Sequence, residues 1–303
     1  MTKICVFAGQ GAQAPGMGRD LAADADVAAL FDRANGVLGF DIARLCFEGP
    51  AEELTKSNIC QPAIFTVSVA AFRAFQKRFP DVTFAMTGGL SLGEWTALHI
   101  AGVLGFDEAL RVLEARGRFM QQACEEQPSG MVSIMGATPE QIAELCEKGG
   151  ITIANINSDA QIVLSGRKDG VAIAAQAAGE MGVKSIVLNV AGAFHSPLME
   201  SARVKLADVL KDIAFNPPQI PVLSNVTGAP HSNDPDEMKE TMLRQVTESV
   251  RWADCIKGAI QAGGKTFVEF GPGKVLSGLI KRIDKEVATL NVSDVATLEA
   301  VAF

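Results

Sequence analysis

The chain has 303 residues, of which 48% are hydrophobic and 20% charged, which predicts a large core shared by one big domain and a smaller inserted one. Its net charge of −8 disfavours nucleic acid as the main partner, because neutralising phosphates requires a basic excess. No run approaches the ~18 apolar residues of a membrane span, and the first residues lack a signal-peptide layout, so we expect no membrane contact and a cytoplasmic location. The six cysteines stand singly, with no CxxC pair and no histidines at ligand spacing, which predicts neither a metal site nor a disulfide framework.

The first predicted strand, Lys3 to Ala8, ends in the glycine-rich loop Gly9 to Gln13. This loop does not fit the dinucleotide pattern GxGxxG, because Ala14 stands where the third glycine belongs, and it lacks the GKS or GKT ending of a P-loop. We interpret it as a loop that presents backbone N–H groups near an active centre. Apolar residues at helical spacing then predict a helix from Pro62 to Phe79.

A GxSxG pentapeptide, Gly89 to Gly93, follows the apolar run Phe84 to Met86 and precedes a helix-forming segment that starts at Glu94. Such pentapeptides also occur in ordinary loops, but the strand-to-helix context favours catalysis. The glycines allow a tight turn that exposes the hydroxyl of Ser91, and the helix after it directs free N–H groups toward a developing oxyanion. Ser91 is therefore the candidate nucleophile.

A second helix is predicted from about Asp107, a plausible cap, through Glu125. Arg116 is three residues from Leu113 and four from Met120, which places its guanidinium at the edge of the apolar stripe. Most helical arginines are solvated or paired at the surface. The position of Arg116 makes it a candidate anion clamp instead.

Residues 128–193 follow a different pattern, with predicted elements in the order β-α-β-β-α-β that is typical of a ferredoxin-like subdomain. The strands are predicted at Met131 to Met135, within Ile151 to Gly166, where two strands join at Ser158 and Asp159, and at Lys184 to Asn189; the helices are predicted at Pro139 to Lys148 and Gly170 to Met181. Inserted after the Arg116 helix, this unit would form one wall of a cleft.

His195 follows the last strand of the subdomain, where the chain re-enters the large domain beside the cleft, and it is the candidate general base. The other two histidines fit worse: His99 is expected to pack within the helix after Ser91, and His231 to be solvated in a polar loop after Pro230. Further on, strands are predicted at Val222 to Asn225 and at Thr266 to Glu269, and a final helix after Gly271-Pro272-Gly273 runs through Ile283.

No third, acidic member of a catalytic triad is apparent. Hydrolases with this turn usually carry an acid between the serine and the histidine, and here Asp159 and Asp169 both fall inside the inserted subdomain. A serine-histidine pair without a carboxylate suits acyl transfer from a thioester, which is already an activated donor, better than peptide cleavage.

Seven sequence blocks occur in order along nearly the whole chain and resemble the malonyl-CoA:acyl carrier protein transacylase family: GQGAQ, NICQPAIF, GLSLGEW, RGRFMQ, NINSDAQIVLSG, AFHSPLM and EFGPGKVLSGLIKRI. The resemblance implies an α/β fold, with an α/β-hydrolase-like catalytic domain of residues 1–127 and 194–303 and the ferredoxin-like subdomain of residues 128–193 inserted in it. It also implies ping-pong transfer of malonyl from malonyl-CoA to the phosphopantetheine thiol of an acyl carrier protein, for fatty acid or polyketide synthesis. No cofactor is implied, since coenzyme A enters as the substrate thioester, and a monomer is expected.

The resemblance assigns roles to particular residues. Ser91 would attack the thioester, His195 would accept its proton and later activate the carrier thiol, and Arg116 would bind the malonyl carboxylate. The backbone N–H groups of Gln10 and Leu92 would form the oxyanion hole.

Four further residues match positions around this centre. The resemblance implies that Gln245 orients His195 through its backbone carbonyl and that Gln61, Met120 and Phe194 contribute to substrate binding. Phe194 also fits a preference for malonyl over methylmalonyl groups.

Three positions depart from the family pattern: Leu90 replaces a histidine, Ala8 a proline and Trp95 a tyrosine. Leu90 removes a polar neighbour of the nucleophile, so an acyl-thioester hydrolase that uses the same pair is a second hypothesis, and a non-catalytic carrier-docking protein is a third. An acidic carrier would need a local basic patch to dock on this net-negative chain. The candidates for such a patch are Lys184, Lys274, Lys281 and Arg282. These positions are equally compatible with separate solvated residues that have no role in docking.

Overall fold

The computed structural model describes residues 2–302, whose strands form two separate four-stranded sheets. The strands of these residues, in chain order, are β1 (Thr2–Phe7), β2 (Met86–Gly89), β3 (Ser129–Met135), β4 (Thr152–Ser158), β5 (Gln161–Arg167), β6 (Lys184–Val187), β7 (Gly264–Phe270) and β8 (Ala288–Val292). The helices are α1 (Ala25–Leu38), α2 (Ile42–Glu48), α3 (Ala51–Thr55), α4 (Ser57–Arg78), α5 (Leu92–Ile100), α6 (Phe106–Glu126), α7 (Pro139–Gly149), α8 (Lys168–Glu180), α9 (Glu200–Lys211), α10 (Pro235–Arg244), α11 (Trp252–Gln261), α12 (Val275–Ile283) and α13 (Val295–Glu299).

The large sheet is parallel throughout, in the order β2-β1-β7-β8. Phe7 of β1 and Phe270 of β7 stack at 5.8 Å between ring centroids, and Phe72 and Phe75 of α4 meet Phe270 edge-on at 5.1 Å each. These buried aromatic rings fix α4 against one face of the sheet. The carboxyl ends of β1 and β2 therefore open toward the same edge, where parallel α/β sheets place their ligands.

The small sheet is antiparallel, in the order β4-β5-β3-β6, with α7 and α8 connecting its strands. This order and the β-α-β-β-α-β succession are those of a ferredoxin-like unit, which confirms the predicted fold class. Main-chain hydrogen bonds join the two parts of the fold, from Ile156 N to Val250 O and from Val250 N to Ala154 O, both at 2.8 Å. The limits 1–127, 128–193 and 194–303 stay a prediction.

Helices α4 and α6 approach closely beside the nucleophile turn because of one glycine. A Cβ atom on Gly117 of α6 would lie 2.2 Å from the carbonyl oxygen of Ser57 at the start of α4. Only glycine permits this contact, and the neighbouring Arg116 thereby points into the space between the two helices and the sheet.

Two predictions differ from the observed elements, and several observed elements had no prediction. The strand predicted at Val222 to Asn225 is wrong, since Val222 makes only an isolated parallel bridge to Thr87 and Leu223 one to Pro230. Helix α6 is capped at Gly105, so Asp107 lies in its first turn and is not the cap. No bounds were predicted for strand β8 or for helices α1, α2, α3, α9, α10, α11 and α13. Within residues 2–302, no helix is both long enough and apolar enough to cross a membrane.

Candidate active site

The turn between β2 and α5 holds Ser91 in a strained backbone conformation, with φ 56° and ψ −108°. A positive φ in a residue with a side chain costs about 1–3 kcal/mol, so the surrounding structure has to hold it. The two glycines of the pentapeptide make this possible: a Cβ on Gly89 would lie 2.1 Å from the Gly93 carbonyl carbon, and one on Gly93 would lie 2.2 Å from the Phe7 oxygen. The pentapeptide is therefore a nucleophile turn packed directly on β1.

Two side chains from distant parts of the chain hold this turn. Asn225 accepts a hydrogen bond from the Ser91 backbone N–H at 2.7 Å and donates one to the Gly89 carbonyl at 2.8 Å. Gln245 donates from Nε2 to the Ser91 carbonyl at 2.9 Å. The backbone on both sides of Ser91 is thus fixed by buried hydrogen bonds.

The His195 ring lies between Ser91 and Gln245. Its Nε2 is 2.8 Å from Ser91 Oγ, and its Nδ1 is 2.8 Å from the Gln245 carbonyl oxygen. A carbonyl can only accept, so Nδ1 carries the proton and Nε2 is free to accept the proton of the serine hydroxyl. This arrangement agrees with the predicted pairing of nucleophile and base and with the predicted orienting carbonyl.

Burial keeps the His195 ring neutral. The residue is 4% exposed, and burial, followed by the charge of Arg116, lowers the pKa of His195 to about 4, while the hydrogen bond to Gln245 acts in the opposite direction. The imidazole is therefore in its proton-accepting form at neutral pH.

Arg116 is fully enclosed, with 1% of its surface exposed. Its Nη1 donates to Gln61 Oε1 at 2.7 Å, and its Nη2 donates to Ser91 Oγ at 3.1 Å and to Gln245 Oε1 at 3.0 Å. Burial lowers the pKa of Arg116 to about 10, opposed by the charge of Glu94, so the guanidinium stays cationic at neutral pH. Its Nε is buried and has no hydrogen-bond partner among residues 2–302, so one donor of the guanidinium is unsatisfied.

The other predicted substrate residues lie around this centre. Gln61 Nε2 is 3.7 Å from the sulfur of Met120, so the amide is held between Arg116 and Met120. Phe194 is buried immediately before His195 and belongs to the same apolar core as Met120. Their contact with an acyl group stays a prediction.

The backbone N–H groups of Leu92, next to Ser91 in the chain, and of Gln10, in the loop after β1, have no hydrogen-bond partner within the described part of the chain. Leu92 is the first residue of α5, where N–H groups lack intrahelical acceptors. A Cβ on Gly9 would lie 2.7 Å from the Leu90 carbonyl oxygen, so the glycine-rich loop touches the nucleophile turn. Two free donors at this position fit the predicted oxyanion hole.

The other two histidines, His99 and His231, both contact neighbouring side chains. His99 packs edge-on against Phe65 and Phe106, as expected for a helix residue in the core. The prediction that His231 is solvated is wrong: its side chain is 1% exposed, and its Nε2 is 2.6 Å from Oε1 of the buried Glu94. An exposed loop position was expected from the neighbouring Pro230, but the loop folds back onto α5.

Sequence reasoning missed Glu94, Asn225 and His231 as members of this site. Glu94 was noted only as a helix former, although a charged residue between the apolar Leu92 and Trp95 was a signal of a buried carboxylate. No pattern in the sequence could connect it to partners 131 and 137 residues away.

A cavity of about 310 Å³ reaches His195 from the surface between the two parts of the fold. Thr152 and Ile153 of the small sheet form one side, and Val226, Thr247 and Ser249 form the other. Its lining includes His195 and residues of the small sheet, and its identity with the predicted cleft stays a prediction. Among residues 2–302, no cluster of three or more His, Cys, Asp or Glu side chains could hold a metal ion.

A serine on a strained strand-to-helix turn, hydrogen-bonded to a neutral histidine, is typical of enzymes that carry acyl groups on serine. The chain belongs to the acyl transferase domain family, whose model matches residues 4–300.

Individual relatives are similar over almost the entire chain. Malonyl CoA-acyl carrier protein transacylase of Bacillus subtilis (strain 168) is 39% identical, over 99% of this chain and 96% of the relative. The crystal structure of malonyl CoA-acyl carrier protein transacylase from Clostridium perfringens superposes with a TM-score of 0.94 at 38% identity, covering 99% of this chain and 96% of that one. A malonyl-transacylase solved in complex with its type II PKS acyl-carrier protein superposes with a TM-score of 0.95 at 37% identity, covering 99% and 98%.

Proposed function

We propose that this protein transfers a malonyl group from malonyl-CoA to the phosphopantetheine thiol of an acyl carrier protein, through a malonyl ester on Ser91. The observation that carries the proposal is the position of Arg116: its Nη2 is 3.1 Å from the nucleophilic oxygen, and its Nε has no partner among the described residues. A buried cation at the nucleophile selects an acyl group that bears its own carboxylate. The names of the relatives support the same reaction.

The first half-reaction loads the enzyme. Ser91 Oγ attacks the thioester carbonyl while His195 Nε2 takes the hydroxyl proton, and the N–H groups of Gln10 and Leu92 stabilise the oxyanion. The tetrahedral intermediate then expels the coenzyme A thiolate, which receives the proton from His195. Arg116 holds the carboxylate end of the malonyl group.

The second half-reaction runs through the same atoms. His195 accepts the proton of the carrier thiol, the thiolate attacks the ester carbonyl, and Ser91 regains its proton from His195 as it leaves. The Gln245 carbonyl stabilises the developing imidazolium less than the carboxylate of a triad would. A thioester is already an activated acyl donor, so the transfer can proceed without the additional stabilisation that a carboxylate would give the imidazolium.

Coenzyme A takes part as a substrate, and the residues of the site supply the chemistry without a cofactor. We place the reaction in the cytoplasm: the six cysteines are free thiols, which fits a reducing compartment. Fatty acid and polyketide synthesis both use this transfer, and the site chemistry is the same for each.

The test is loading with radiolabelled malonyl-CoA followed by addition of holo carrier protein. We expect label on Ser91, complete loss of label in Ser91→Ala, and discharge of the label to the carrier. Persistent labelling of Ser91→Ala would contradict the proposal. The similar proteins give no support to the hydrolase alternative. A hydrolase would release free malonate in this assay faster than it transfers malonyl to the carrier.

A further inference from the structure

Glu94 is a fully buried carboxylate that the mechanism above does not use. It lies in the first turn of α5, three residues after the nucleophile. Its Oε2 accepts hydrogen bonds from Gln245 Nε2 at 2.6 Å and from the Asn225 backbone N–H at 3.2 Å, and its Oε1 is 2.6 Å from His231 Nε2. Burying a carboxylate costs free energy, which its hydrogen bonds have to offset. A buried carboxylate with several hydrogen bonds also fixes the positions of its partners.

The two partners of Oε2 are the same two residues that hold the nucleophile turn. Asn225 binds the Ser91 backbone N–H and the Gly89 carbonyl, and Gln245 binds the Ser91 carbonyl. One oxygen atom of Glu94 therefore anchors both supports of the strained Ser91 backbone.

Gln245 extends this anchoring to the base and the cation. Its backbone carbonyl holds His195 Nδ1, and its side-chain oxygen accepts from Arg116 Nη2. The negative charge of Glu94 attracts the NH₂ end of the Gln245 amide and the positive charge of Arg116 attracts the oxygen end, so the two charges together determine which way this amide points. His231 holds the far oxygen of the carboxylate and fixes Glu94 in turn.

We propose that Glu94 is a positioning residue that, through Gln245 and Asn225, holds the Ser91 turn and the His195 ring in their reactive arrangement. The inference rests on the proposed function only for the assignment of Ser91 as the nucleophile. It requires neither malonyl-CoA nor the carrier, so it can be tested with a probe that reports on the serine alone.

The probe is a fluorophosphonate, which phosphonylates an activated serine with loss of fluoride. We expect Glu94→Gln to slow labelling of Ser91 by about tenfold to a hundredfold, the usual value of a hydrogen bond to a charged group. Glu94→Leu should be slower still, because the glutamine keeps one acceptor oxygen for Gln245 and the leucine keeps none. The matched control is Glu269→Gln: Glu269 is also buried, 1% exposed, but caps α12 through the N–H groups of Leu276 and Ser277, and its neutralisation should leave the labelling rate unchanged.

A double-mutant cycle with Gln245→Leu separates positioning from general damage to the fold. If Glu94 acts through Gln245, the variant that combines Glu94→Leu with Gln245→Leu will be much less impaired than the product of the two single effects. Thermal melting of each variant shows whether it is folded at the assay temperature.

Four results would overturn the inference. Wild-type labelling rates in Glu94→Gln and Glu94→Leu would show that the carboxylate has no influence on Ser91. An equal slowing in Glu269→Gln at an equal loss of melting temperature would reduce Glu94 to a structural residue, as would multiplicative effects in the cycle. Failure of the wild-type chain to label at Ser91 would reject the nucleophile assignment, and with it the proposed function as well.

Discussion

Two side chains form hydrogen bonds with the hydroxyl oxygen of Ser91, and they affect its reactivity in opposite ways. His195 Nε2 accepts its proton, and Arg116 Nη2 donates to it. The cation stabilises negative charge on the oxygen but also lowers the pKa of His195, because an imidazolium would stand beside a second buried positive charge. The basicity of His195 and the proposed selection of the acyl group therefore depend on the same arginine.

Replacement of Arg116 by alanine should change the choice of acyl group. We expect the ratio of malonyl to acetyl loading to fall by about tenfold to a hundredfold, because a charged hydrogen bond contributes about 1.5–3 kcal/mol and only malonyl can form it. Loading rates with malonyl-CoA and acetyl-CoA in parallel measure the ratio. Arg118→Ala is the control, since this arginine lies on the same helix but is exposed and paired with Glu114. An unchanged ratio in Arg116→Ala would contradict the clamp.

The depressed pKa of His195 predicts a pH profile. The neutral ring is the active form and protonation abolishes it, so loading should persist as the pH falls and decline only near the pKa of about 4. Acetyl-CoA is the suitable donor, because it has no carboxylate that titrates in this range. In Arg116→Ala the acid limb should move to higher pH, since one cause of the depression has been removed. A wild-type limb near the ordinary histidine value of about 6.5 would contradict this account, provided that circular dichroism shows a folded chain.

At the scale of elements, helix α6, which carries Arg116, depends on its contact with α4. Gly117→Ala places a Cβ 2.2 Å from the Ser57 carbonyl oxygen, so α6 has to move and take Arg116 with it. We expect a loss of about 1–3 kcal/mol in the free energy of unfolding, measured by urea denaturation, together with slower malonyl loading. Gly278→Ala in α12 is the control: nothing lies within 4 Å of its Cβ position, and it should stabilise the fold by about 0.5–1 kcal/mol. Equal stability of the two variants would refute the close-contact argument.

Local patterns predicted most of the elements because each carries its own signal. The β-α-β-β-α-β subdomain and the nucleophile turn depend on spacing within short segments, and both were predicted correctly. The segment Val222 to Asn225 misled the prediction because its apolar residues are buried beside β2 without forming a ladder. Burial produces the same apolar pattern with or without strand pairing.

The sequence predicted the reacting residues of the candidate site but not most of the residues that hold them in place. Ser91, His195 and Arg116 carry recognisable contexts, whereas the role of Glu94 arises only from partners that the fold brings to it from positions 225, 231 and 245. A buried polar network is a property of tertiary structure, and a single sequence gives no record of which distant groups meet.

At the scale of the whole molecule, two of the four basic residues predicted for carrier docking are already engaged. Lys281 donates to the carbonyl oxygens of Lys285 and Val287, and Arg282 donates to Gln161 of the small sheet. All four residues are exposed, so only these hydrogen bonds distinguish them. Arg282 contributes to the joint between the two parts of the fold, and the docking hypothesis narrows to Lys184 and Lys274.

Lys274 is the better placed of these two, because it follows the carboxyl end of β7 in a turn that touches the glycine-rich loop; a Cβ on Gly273 would lie 3.8 Å from Cβ of Ala12. Lys274→Glu should raise the KM for an acidic carrier while leaving malonyl-CoA loading unchanged, and the difference should shrink as salt rises and screens the exposed charge. Lys265→Glu makes the same charge change at the amino end of β7, on the opposite edge of the sheet, and should leave the KM for the carrier unaltered. Equal responses of the two variants, or a KM that does not depend on salt, would show that net charge and not a docking position governs the encounter.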